Sequence, residues 1–589
     1  MRFHFMKSTT RFRTVPVAWA SCPFEEIQQD MGRMPMPRYL FRPVKPRLAA
    51  FAGLLFLIPA VLCGADLRLA GMFGDHMVLQ RDVPVPVWGW AAPGEKVNVE
   101  FADQKKSAAA DASGKWMVKL DPMTASAESR TLTVTGNGSL TLSDVLVGDV
   151  WLCSGQSNMG IPMDVPGNEF LQQRIREADN PQLRFVQLAH QFPDQPAADT
   201  KGSWRIARPD TVRSWTAIGY LFGDKIQREL GVPVGIVGGA MGGTPIESWM
   251  SREVLLANHA NEPYLEKHAA AVQQLPKTLP KFEKELAAFK ERFPDTPSLV
   301  AENAARRQRG EPELREPRKP DGAADSARNP AACFNGKIAP FAPFAIKGVL
   351  WYQGEGNVNG FLQYPFQMAD LMKLWRGLFG LPKLPFIMTE LAPLGPVAAA
   401  PEDSARARFG EALAKTAKAD GNAWVITIVD GGDPDNIHPA KKEIPGERFA
   451  AMALAKVYGR DGIAHGPLLK SWKAVDGGAE IKFDSAGGGL IAKAVNLGGH
   501  GVGDDSVHGF ELAGKDKKFF PATARIVEGD TVIAKCPQVP SPIAVRYAWA
   551  GFPLCNLYNR EGFAAYPFRT DDWPFLQPAA PPPKESPSP

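Results

Sequence analysis

The chain has 589 residues, of which 44% are hydrophobic and 22% charged, a composition that fits folded globular domains and excludes a mainly disordered protein. A net charge of +4 over this length is small, so it does not indicate a nucleic-acid partner or an acidic membrane surface. The six cysteines lack the CxxC or Cys/His spacing of a zinc site or redox pair, and we predict neither a metal nor another cofactor. Because the chain is too long for one hydrophobic core, we expect several domains.

Residues 1–65 have the pattern of an N-terminal extension followed by a secretory signal peptide. Basic residues precede an apolar run of about 15 residues from Leu48 to Leu62, which ends in Cys63-Gly64-Ala65. The run is shorter than the ~20 residues of a membrane-spanning helix. We predict cleavage after Ala65, with lipid attachment at Cys63 as the alternative. The mature protein is then expected to be secreted or periplasmic, with no membrane anchor after cleavage.

Residues 66–144 are predicted to form a β-sandwich, because short alternating or β-branched segments are separated by Gly and Pro at sandwich-like intervals. The predicted strands are Val83–Val87, Lys96–Phe101, Lys115–Leu120 and Thr131–Thr135. Because no residue here carries obvious chemistry, we interpret the region as a scaffold, with a carbohydrate-contacting module as the alternative.

Residues 145–460 alternate between strand and helix patterns, which predicts an α/β domain whose mostly parallel sheet is covered by helices on both faces. The predicted strands are Val145–Leu152, Val234–Gly238, Ile346–Tyr352, Pro385–Leu391 and Ala423–Val429, and the predicted helices are Phe170–Ala178, Ala217–Leu230 and Phe366–Leu378. A charged, alanine-rich stretch at about 253–329 is predicted to be a solvated insertion, in which Lys281–Arg292 has helical spacing. A partner-binding helix is the alternative for this stretch.

Residues 461–575 return to a β-rich pattern. The predicted strands are Ala479–Phe483, Ala524–Val527, Thr531–Ala534 and Ala544–Tyr547. Residues 576–589 are rich in Pro, Ser and Ala and are predicted to be a disordered tail. Cys536 and Cys555 are either a disulfide of an oxidising compartment or two separate buried thiols, and spacing does not decide between them.

One strand and the turn that follows it carry the functional analysis. The apolar run Val145–Leu152 stops at Gly155 and leaves Gln156, Ser157 and Asn158 at the tip. In open α/β sheets the ligand lies beyond the carboxyl ends of the strands, and a serine held there can act as a nucleophile if a histidine reaches it. An ordinary strand-ending turn would use the same residue types.

Three later stretches also follow predicted strands of the same domain. Gly238–Trp249 contains paired glycines, whose backbone N–H groups can approach a ligand closely. Trp351–Asn357 offers two side-chain amides and a carboxylate. Asp430–Pro439 places Asp435 three residues before His438, close enough for a carboxylate to orient an imidazole. Their joint placement at successive strand ends favours a catalytic site over four unrelated turns.

Together the four stretches contain the parts of an acyl-transfer site. We predict Ser157 as the nucleophile and His438 as the base that takes and returns the proton. Asp435 is predicted to fix the imidazole tautomer, with Asp433 and Asp430 as alternatives.

The same stretches supply donors for the oxyanion and groups for the substrate. The predicted oxyanion donors are the backbone N–H of Ser157, that of Gly242 or Gly243, and the side-chain amide of Gln353 or Asn357. The residues that we expect to contact the substrate are Gln156, Asn158 and Glu355.

The motifs closely resemble those of the sialate O-acetylesterase family, which belongs to the SGNH hydrolases beside the acetylxylan esterases. The matching stretches are Gly148–Met159, Gly242–Trp249, Trp351–Asn357, Ile437–Pro439, Met77–Arg81, Phe334–Gly336, Val545–Trp549, Asn556–Asn559 and Pro567–Asp571. The resemblance implies a flavodoxin-like SGNH-hydrolase domain with β-rich flanking domains, and metal-free deacetylation of a sugar ester. It also implies Ser157 as the nucleophile and His438 as the base.

Two positions depart from the family pattern. Relatives usually have Ser or a similar residue at the position of Gly356, a change expected to loosen that loop. They often carry Asp at the position of Asn436, one residue nearer His438, which leaves the identity of the triad acid open.

The predicted function is that of a serine carboxylic-ester hydrolase that removes O-acetyl groups from sialic acid or related glycan sugars. An acetylxylan or other plant-polysaccharide acetyl esterase is the alternative, because substrate choice depends on loops such as 253–329. A catalytically inactive glycan-binding protein is a third hypothesis, which the joint presence of Ser157, Gln353 and His438 disfavours. The expected partner is an acetylated sugar or glycan; the sequence leaves the oligomeric state open.

Overall fold

The structure, a computed structural model, describes residues 66–309, 311, 314–398 and 400–575. The predicted signal segment and the predicted disordered tail lie outside the described residues.

The N-terminal region is built from short strands whose alternating side chains point into a shared core. Its strands are β1 (Arg68–Leu69), β2 (Val78–Gln80), β3 (Val85–Trp90), β4 (Lys96–Phe101), β5 (Gln104–Ala109), β6 (Lys115–Leu120), β7 (Ser126–Thr135) and β8 (Ser139–Gly155). β1, β3 and β6 form one antiparallel sheet. β5, β4 and β7 pair in a second sheet, which β7 joins to β8. In β4, alternation buries Val97, Val99 and Phe101 and leaves the intervening residues partly or fully exposed.

β8 is a single 17-residue strand that runs through the predicted domain boundary between residues 144 and 145. Its first half pairs with β7, and its second half is central in the α/β sheet. The residue pattern explains the change of partner, because 139–144 alternates between exposed and half-buried whereas 145–155 is buried throughout. The two regions are therefore joined by a continuous strand instead of a linker.

The α/β sheet continues from β8 in both directions. Its other strands are β9 (Asn180–Gln187), β10 (Arg205–Ala207), β11 (Val234–Gly238), β12 (Gly348–Tyr352), β13 (Phe386–Thr389) and β14 (Ala423–Ile426). The strand order is β10-β9-β11-β8-β12-β13-β14, and only β10 runs antiparallel to its neighbour on this path. The remaining five strands, numbered 1 to 5 in chain order from β8, lie in the spatial order 2-1-3-4-5 once β9 and β10 are left out. This is the order of a doubly wound sheet, which binds its ligand at the carboxyl ends of strands 1 and 3.

Helices cover both faces of this sheet. The helices are α1 (Ser157–Gly160), α2 (Glu169–Arg176), α3 (Ala217–Leu230), α4 (Arg252–Ala257), α5 (Glu262–Arg292), α6 (Thr296–Gln308), α7 (Tyr364–Phe379), α8 (Ala405–Asp420) and α9 (Glu443–Lys456). Trp151 packs against Phe222 of α3, and Trp351 packs against Trp375 of α7. Because Trp351 is in register with Ser154, three residues after Trp151, the two tryptophans point to opposite faces. The α/β class predicted from the sequence is confirmed.

The predicted insertion is more helical than its sequence indicates. Spacing predicts a helix from Lys281, but α5 begins at Glu262 and passes through Pro276 and Pro280. Proline has no backbone N–H, so a proline inside a sequence predicts the end of a helix. α5 has no buried residue, and water can therefore bind the carbonyl groups that lose their helical N–H partner at the two prolines. Within the described ranges, no helix combines the length and the apolar character that a bilayer span requires.

The C-terminal region is β-rich, as predicted. Its strands are β15 (Leu468–Val475), β16 (Gly478–Asp484), β17 (Leu490–Ala492), β18 (Val495–Leu497), β19 (His500–Val502), β20 (Phe510–Ala513), β21 (Phe519–Pro521), β22 (Thr523–Glu528), β23 (Thr531–Lys535), β24 (Ala544–Tyr547), β25 (Leu557–Asn559) and β26 (Phe568–Arg569). Two four-stranded antiparallel sheets, β15-β16-β23-β22 and β21-β20-β24-β26, contain most of them. Cys536 and Cys555 are buried free thiols, so the disulfide alternative is wrong.

Candidate active site

The four stretches selected from the sequence meet at the carboxyl edge of the sheet. Ser157 follows β8, the paired glycines follow β11, and Gln353 follows β12. The loop with His438 follows β14. β8 lies between β11 and β12, so the chain continues from β8 to one side of the sheet and later to the other. This is the topological switch point of the sheet, where such folds bind ligands.

The turn before Ser157 depends on a glycine. Gly155 has φ +124°, and a Cβ there would lie 2.1 Å from the carbonyl oxygen of Tyr352. The Gln156 N–H then donates to that same carbonyl at 2.8 Å. Ser157 begins α1, so its backbone N–H is the first of a helical turn and is left without an intrahelical acceptor.

The imidazole of His438 reaches the Ser157 hydroxyl. His438 Nε2 lies 2.8 Å from Ser157 Oγ, although 281 positions separate the two residues in the chain. The His438 backbone N–H donates to Asn436 Oδ1 at 2.9 Å, which holds the loop in a tight turn. This separation lets the hydroxyl donate its proton to the ring nitrogen.

Three aspartates precede His438, and two of them have clear structural partners. Asp430 is paired with Arg448 through two hydrogen bonds of 2.7 Å and accepts a third from Tyr558 at 2.8 Å. Asp433 Oδ1 accepts the backbone N–H groups of Asp435 and Asn436, at 2.9 and 3.1 Å. Asp435 is exposed at the start of the turn that carries His438.

The glycine loop lies directly against the nucleophile. The Met241 N–H donates to the Gly155 carbonyl at 3.0 Å, which aligns the loop with the turn. A Cβ at Gly242 would be 3.5 Å from Ser157 Cβ, and Gly243 has φ +68°. Arg328, from the predicted insertion, donates a guanidinium N–H to the Gly243 carbonyl. Sequence reasoning missed this arginine, because its position in a charged insertion resembles that of any surface cation.

The amides of Gln353 and Asn357 are engaged by protein partners. Gln353 Nε2 donates to the Thr244 carbonyl at 3.1 Å and to Asn357 Oδ1 at 2.8 Å. Asn357 Nδ2 donates to Glu247 at 3.0 Å. These contacts engage both N–H donors of Gln353 and one of the two of Asn357, and they tie the β12 loop to the β11 loop.

The groups predicted to touch substrate are likewise bonded to neighbouring loops. Gln156 Oε1 accepts the backbone N–H groups of Gly354 and Gly356 at 3.1 and 3.3 Å. Asn158 Nδ2 donates to Glu355 Oε1 at 2.6 Å. Both Gln156 and Asn158 are buried. The contacts join the nucleophile turn to the β12 loop.

Two ionisable groups, the half-buried Glu355 and the buried Lys442, lie beside these contacts. Burial raises the pKa of Glu355, which the hydrogen bond from Asn158 only partly offsets. Lys442 is 1% exposed, and burial lowers its pKa to about 7 despite the nearby Glu355 and Glu443 carboxylates. Lys442 is missed by sequence reasoning because it belongs to a short charged run, Lys441-Lys442-Glu443, of the kind that usually faces solvent.

The chain matches the family model described as carbohydrate esterase, sialic acid-specific acetylesterase, over residues 147–279 and 334–448. The matched segments contain Ser157, Gln353 and His438. The unmatched residues between them overlap the predicted insertion, which is consistent with an addition to a shared catalytic region.

Similarity to individual proteins extends over most of the chain. The chain is 32% identical to a carbohydrate acetylesterase from Xanthomonas citri, whose crystal structure matches with a TM-score of 0.68 over 86% of this chain and 100% of that one. It is 25% identical over 570 residues to the sialate O-acetylesterase of Mus musculus, which covers 87% of this chain and 96% of that protein. The sialate O-acetylesterase of Rattus norvegicus is 29% identical over 353 residues, 55% of this chain and 59% of that protein.

Proposed function

Because this chain belongs to the sialic acid-specific acetylesterase family of carbohydrate esterases, we propose that it removes O-acetyl groups from sialic acid or a related glycan sugar. As a member of this family the chain is an esterase that acts on acetylated carbohydrates. The similarity to the Mus musculus sialate O-acetylesterase over most of both chains supports acetylated sialic acids as the substrate class.

In the proposed reaction, Ser157 Oγ attacks the acetyl carbonyl carbon while His438 Nε2 takes the hydroxyl proton. The bond between the acetyl carbon and the sugar oxygen then breaks, and His438 returns the proton to that oxygen. Water, activated by the same imidazole, releases acetate from Ser157. The observation that carries this proposal is the 2.8 Å separation of Oγ and Nε2.

We assign the acid of the triad to Asp435. Arg448 and Tyr558 bind both carboxylate oxygens of Asp430, and Oδ1 of Asp433 accepts two backbone N–H groups of the turn. Asp435 keeps the three-residue spacing to His438 that the sequence indicates. A carboxylate there would hold the imidazole in the tautomer whose Nε2 accepts the serine proton.

We assign the oxyanion to backbone donors, namely the N–H of Ser157 with that of Gly242 or Gly243. The closeness of Gly242 to Ser157 and the open end of the α1 turn support this assignment. In this proposal Gln353 and Asn357 do not bind the oxyanion themselves but hold the glycine loop in place.

The serine assignment is tested by Ser157→Ala with p-nitrophenyl acetate as substrate. We expect turnover to fall by on the order of 10⁴ to 10⁶, since loss of a triad nucleophile leaves only binding and oxyanion stabilisation. Ser154→Ala is the matched control: its hydroxyl is buried in the same strand and has no hydrogen-bond partner among the described residues, so activity should stay within about twofold. A Ser157→Ala enzyme with half the normal activity would reject the assignment.

The substrate class is tested separately, by acetate release from O-acetylated sialic acids and from acetylated xylan. Preference for the sialic acids would support the proposal. Faster release from acetylated xylan would place the enzyme with the plant-polysaccharide esterases while leaving the chemistry intact.

We further propose that residues 145–460 form an SGNH-type catalytic domain supported by regions 66–144 and 461–575. The 2-1-3-4-5 order of five of its strands supports this arrangement. The sequence pattern of residues 1–65 supports a secreted or periplasmic location.

A further inference from the structure

We propose that Lys442 is a positioning residue of the esterase, which acts with Glu355 to hold Asn158 so that the nucleophile turn and the histidine loop stay aligned. The proposal rests on the proposed roles of Ser157 and His438, and it assigns a function to a buried lysine that the reaction itself does not use.

Asn158 connects the nucleophile turn to the β12 loop and to the histidine loop through one amide. Its Nδ2 donates to Glu355 Oε1 at 2.6 Å and to the carbonyl of Ile437 at 3.0 Å. Its Oδ1 accepts a hydrogen bond from Lys442 Nζ at 2.6 Å. Asn158 directly follows Ser157, and Ile437 directly precedes His438. A shift of this amide would therefore change the separation of the two reacting side chains.

The chemistry of the two neighbours fixes the orientation of the amide. An ammonium group can meet only the oxygen of an amide, and a carboxylate can meet only its NH₂ group. Lys442 and Asn158 are each 1% exposed, so water cannot replace either contact. With Lys442 and Glu355 ionised, both hydrogen bonds are charge-assisted and stronger than bonds between neutral groups. The amide is therefore held in one direction, with the NH₂ group on Ile437.

The position of Lys442 is unfavourable by local rules. It stands at the N-cap of α9, where the helix dipole disfavours a cation. It is buried, which lowers its pKa to about 7. The carboxyl group of Glu355 is also in an unfavourable position, because its Oε2 is buried without a hydrogen-bond partner among the described residues. Side chains kept in such places against local preference mark functional sites.

α1 needs this external support because it is only four residues long. Its N-cap residue, Gln156, makes no side-chain cap to the helix. Isolated turns of this length are unstable on their own. The Lys442–Asn158–Glu355 contacts thus supply from the neighbouring loops the rigidity that the turn lacks.

The test compares Lys442→Met with Lys441→Met, using p-nitrophenyl acetate. Lys441 is the adjacent exposed lysine and donates only to the Asn496 carbonyl in the contacts of the structure. We expect Lys442→Met to lower kcat by roughly 10² to 10³ with KM within about threefold, because small misplacements of reacting groups have effects of this size. Lys441→Met should keep kcat within about twofold. Lys442→Arg retains a donor and should recover part of the lost kcat.

A double variant, Lys442→Met with Glu355→Gln, separates positioning from simple stability. The introduced glutamine side chain would keep an acceptor for Asn158 without a buried charge, so the melting temperature should rise relative to Lys442→Met alone. kcat should nevertheless stay low, and Ser157 should react slowly with a fluorophosphonate, since the amine is still missing. A double variant with normal kcat would overturn the proposal.

The result is distinguishable from failure of the proposed function. If Ser157→Ala is inactive and a folded Lys442→Met enzyme keeps kcat within threefold of normal, only the role of Lys442 is rejected. If Ser157→Ala is active, the catalytic assignment itself is wrong, and with it the proposal for Lys442.

Discussion

Glu390 shows how one buried carboxyl couples the stability of this protein to pH. It follows β13, is buried, and has a pKa raised to about 7 by desolvation, against the opposing effects of Thr427 and Arg448. A raised folded-state pKa means that the folded protein binds more protons than the unfolded chain between about pH 4.5 and 7. The contribution of Glu390 to stability is therefore fully present below the unfolded value and is lost as pH rises through about 7.

Glu390→Gln is expected to stabilise the protein at pH 8 by roughly 1–3 kcal/mol, because it removes a buried charge, and to have little effect below about pH 4.5. Denaturant unfolding at the two pH values measures the difference. Glu128→Gln, at an exposed carboxylate, is the control and should change stability by less than about 0.5 kcal/mol at either pH. Equal destabilisation by Glu390→Gln at both values would contradict this account.

At the residue scale, the sequence predicts which strand-end motifs meet, but not the protein partners of each side chain. Motifs at strand ends bring Ser157 and His438 together because parallel strands end at one edge of a sheet. The amides of Gln353 and Asn158, predicted to meet the oxyanion and the substrate, also bind protein partners that the sequence does not show. A polar residue at a strand end does not reveal its partner, since the partner comes from a distant loop.

Arg448 joins three elements at the base of the histidine loop. Its guanidinium pairs with Asp430 and donates to the Thr427 carbonyl at 2.8 Å, which links α9 to the segment after β14. The Tyr558 hydroxyl of β25 donates to the same carboxylate. Both side chains of the ion pair are about 90% buried, at 9% and 10% exposure. The segment that leads to His438 is therefore fixed at its start.

Arg448→Met should cost about 3–5 kcal/mol of unfolding free energy, because it leaves the Asp430 carboxylate buried and unpaired. Lys456→Met is the control on the same helix: Lys456 is exposed, and its replacement should cost less than about 0.5 kcal/mol. Adding Asp430→Asn to Arg448→Met should restore part of the stability. A cost of Arg448→Met no larger than that of the control would show that the ion pair does not anchor the loop.

At the element scale, periodicity predicts the interior of the α/β region well. α3 has the predicted bounds because Thr216 caps its first turn and Gly231 ends it in the left-handed conformation. β8 and α5 depart from prediction for different reasons. β8 continues through residue 144 although Asp144 has φ +53°, because the strand pairs with β7 before this irregularity and with the α/β sheet after it. α5 continues through two prolines because its exposed backbone tolerates them.

At the scale of the whole molecule, polar side chains of the C-terminal region bind the α/β region. The Tyr566 hydroxyl donates to the Val425 carbonyl of β14 at 2.7 Å. Arg569 of β26 pairs with Glu411 of α8 at 3.0 and 3.1 Å. The sequence predicts a separate C-terminal domain from its change of pattern, but it does not show that these side chains cross into the catalytic region.

We therefore expect a chain shortened to residues 66–460 to lose esterase activity and to melt well below the longer protein, or to aggregate. The shortened chain would lack Tyr558 and Tyr566, and it would expose the buried Asp430–Arg448 pair and the apolar surface around it. The matched control ends at Phe575, which keeps every contact described above, and it should retain activity and melting temperature. Soluble yield, thermal unfolding and the rate at which Ser157 reacts with a fluorophosphonate provide independent measurements. If residues 66–460 alone fold with normal stability and label at the normal rate, the C-terminal region is an accessory domain and the histidine loop holds its position without it.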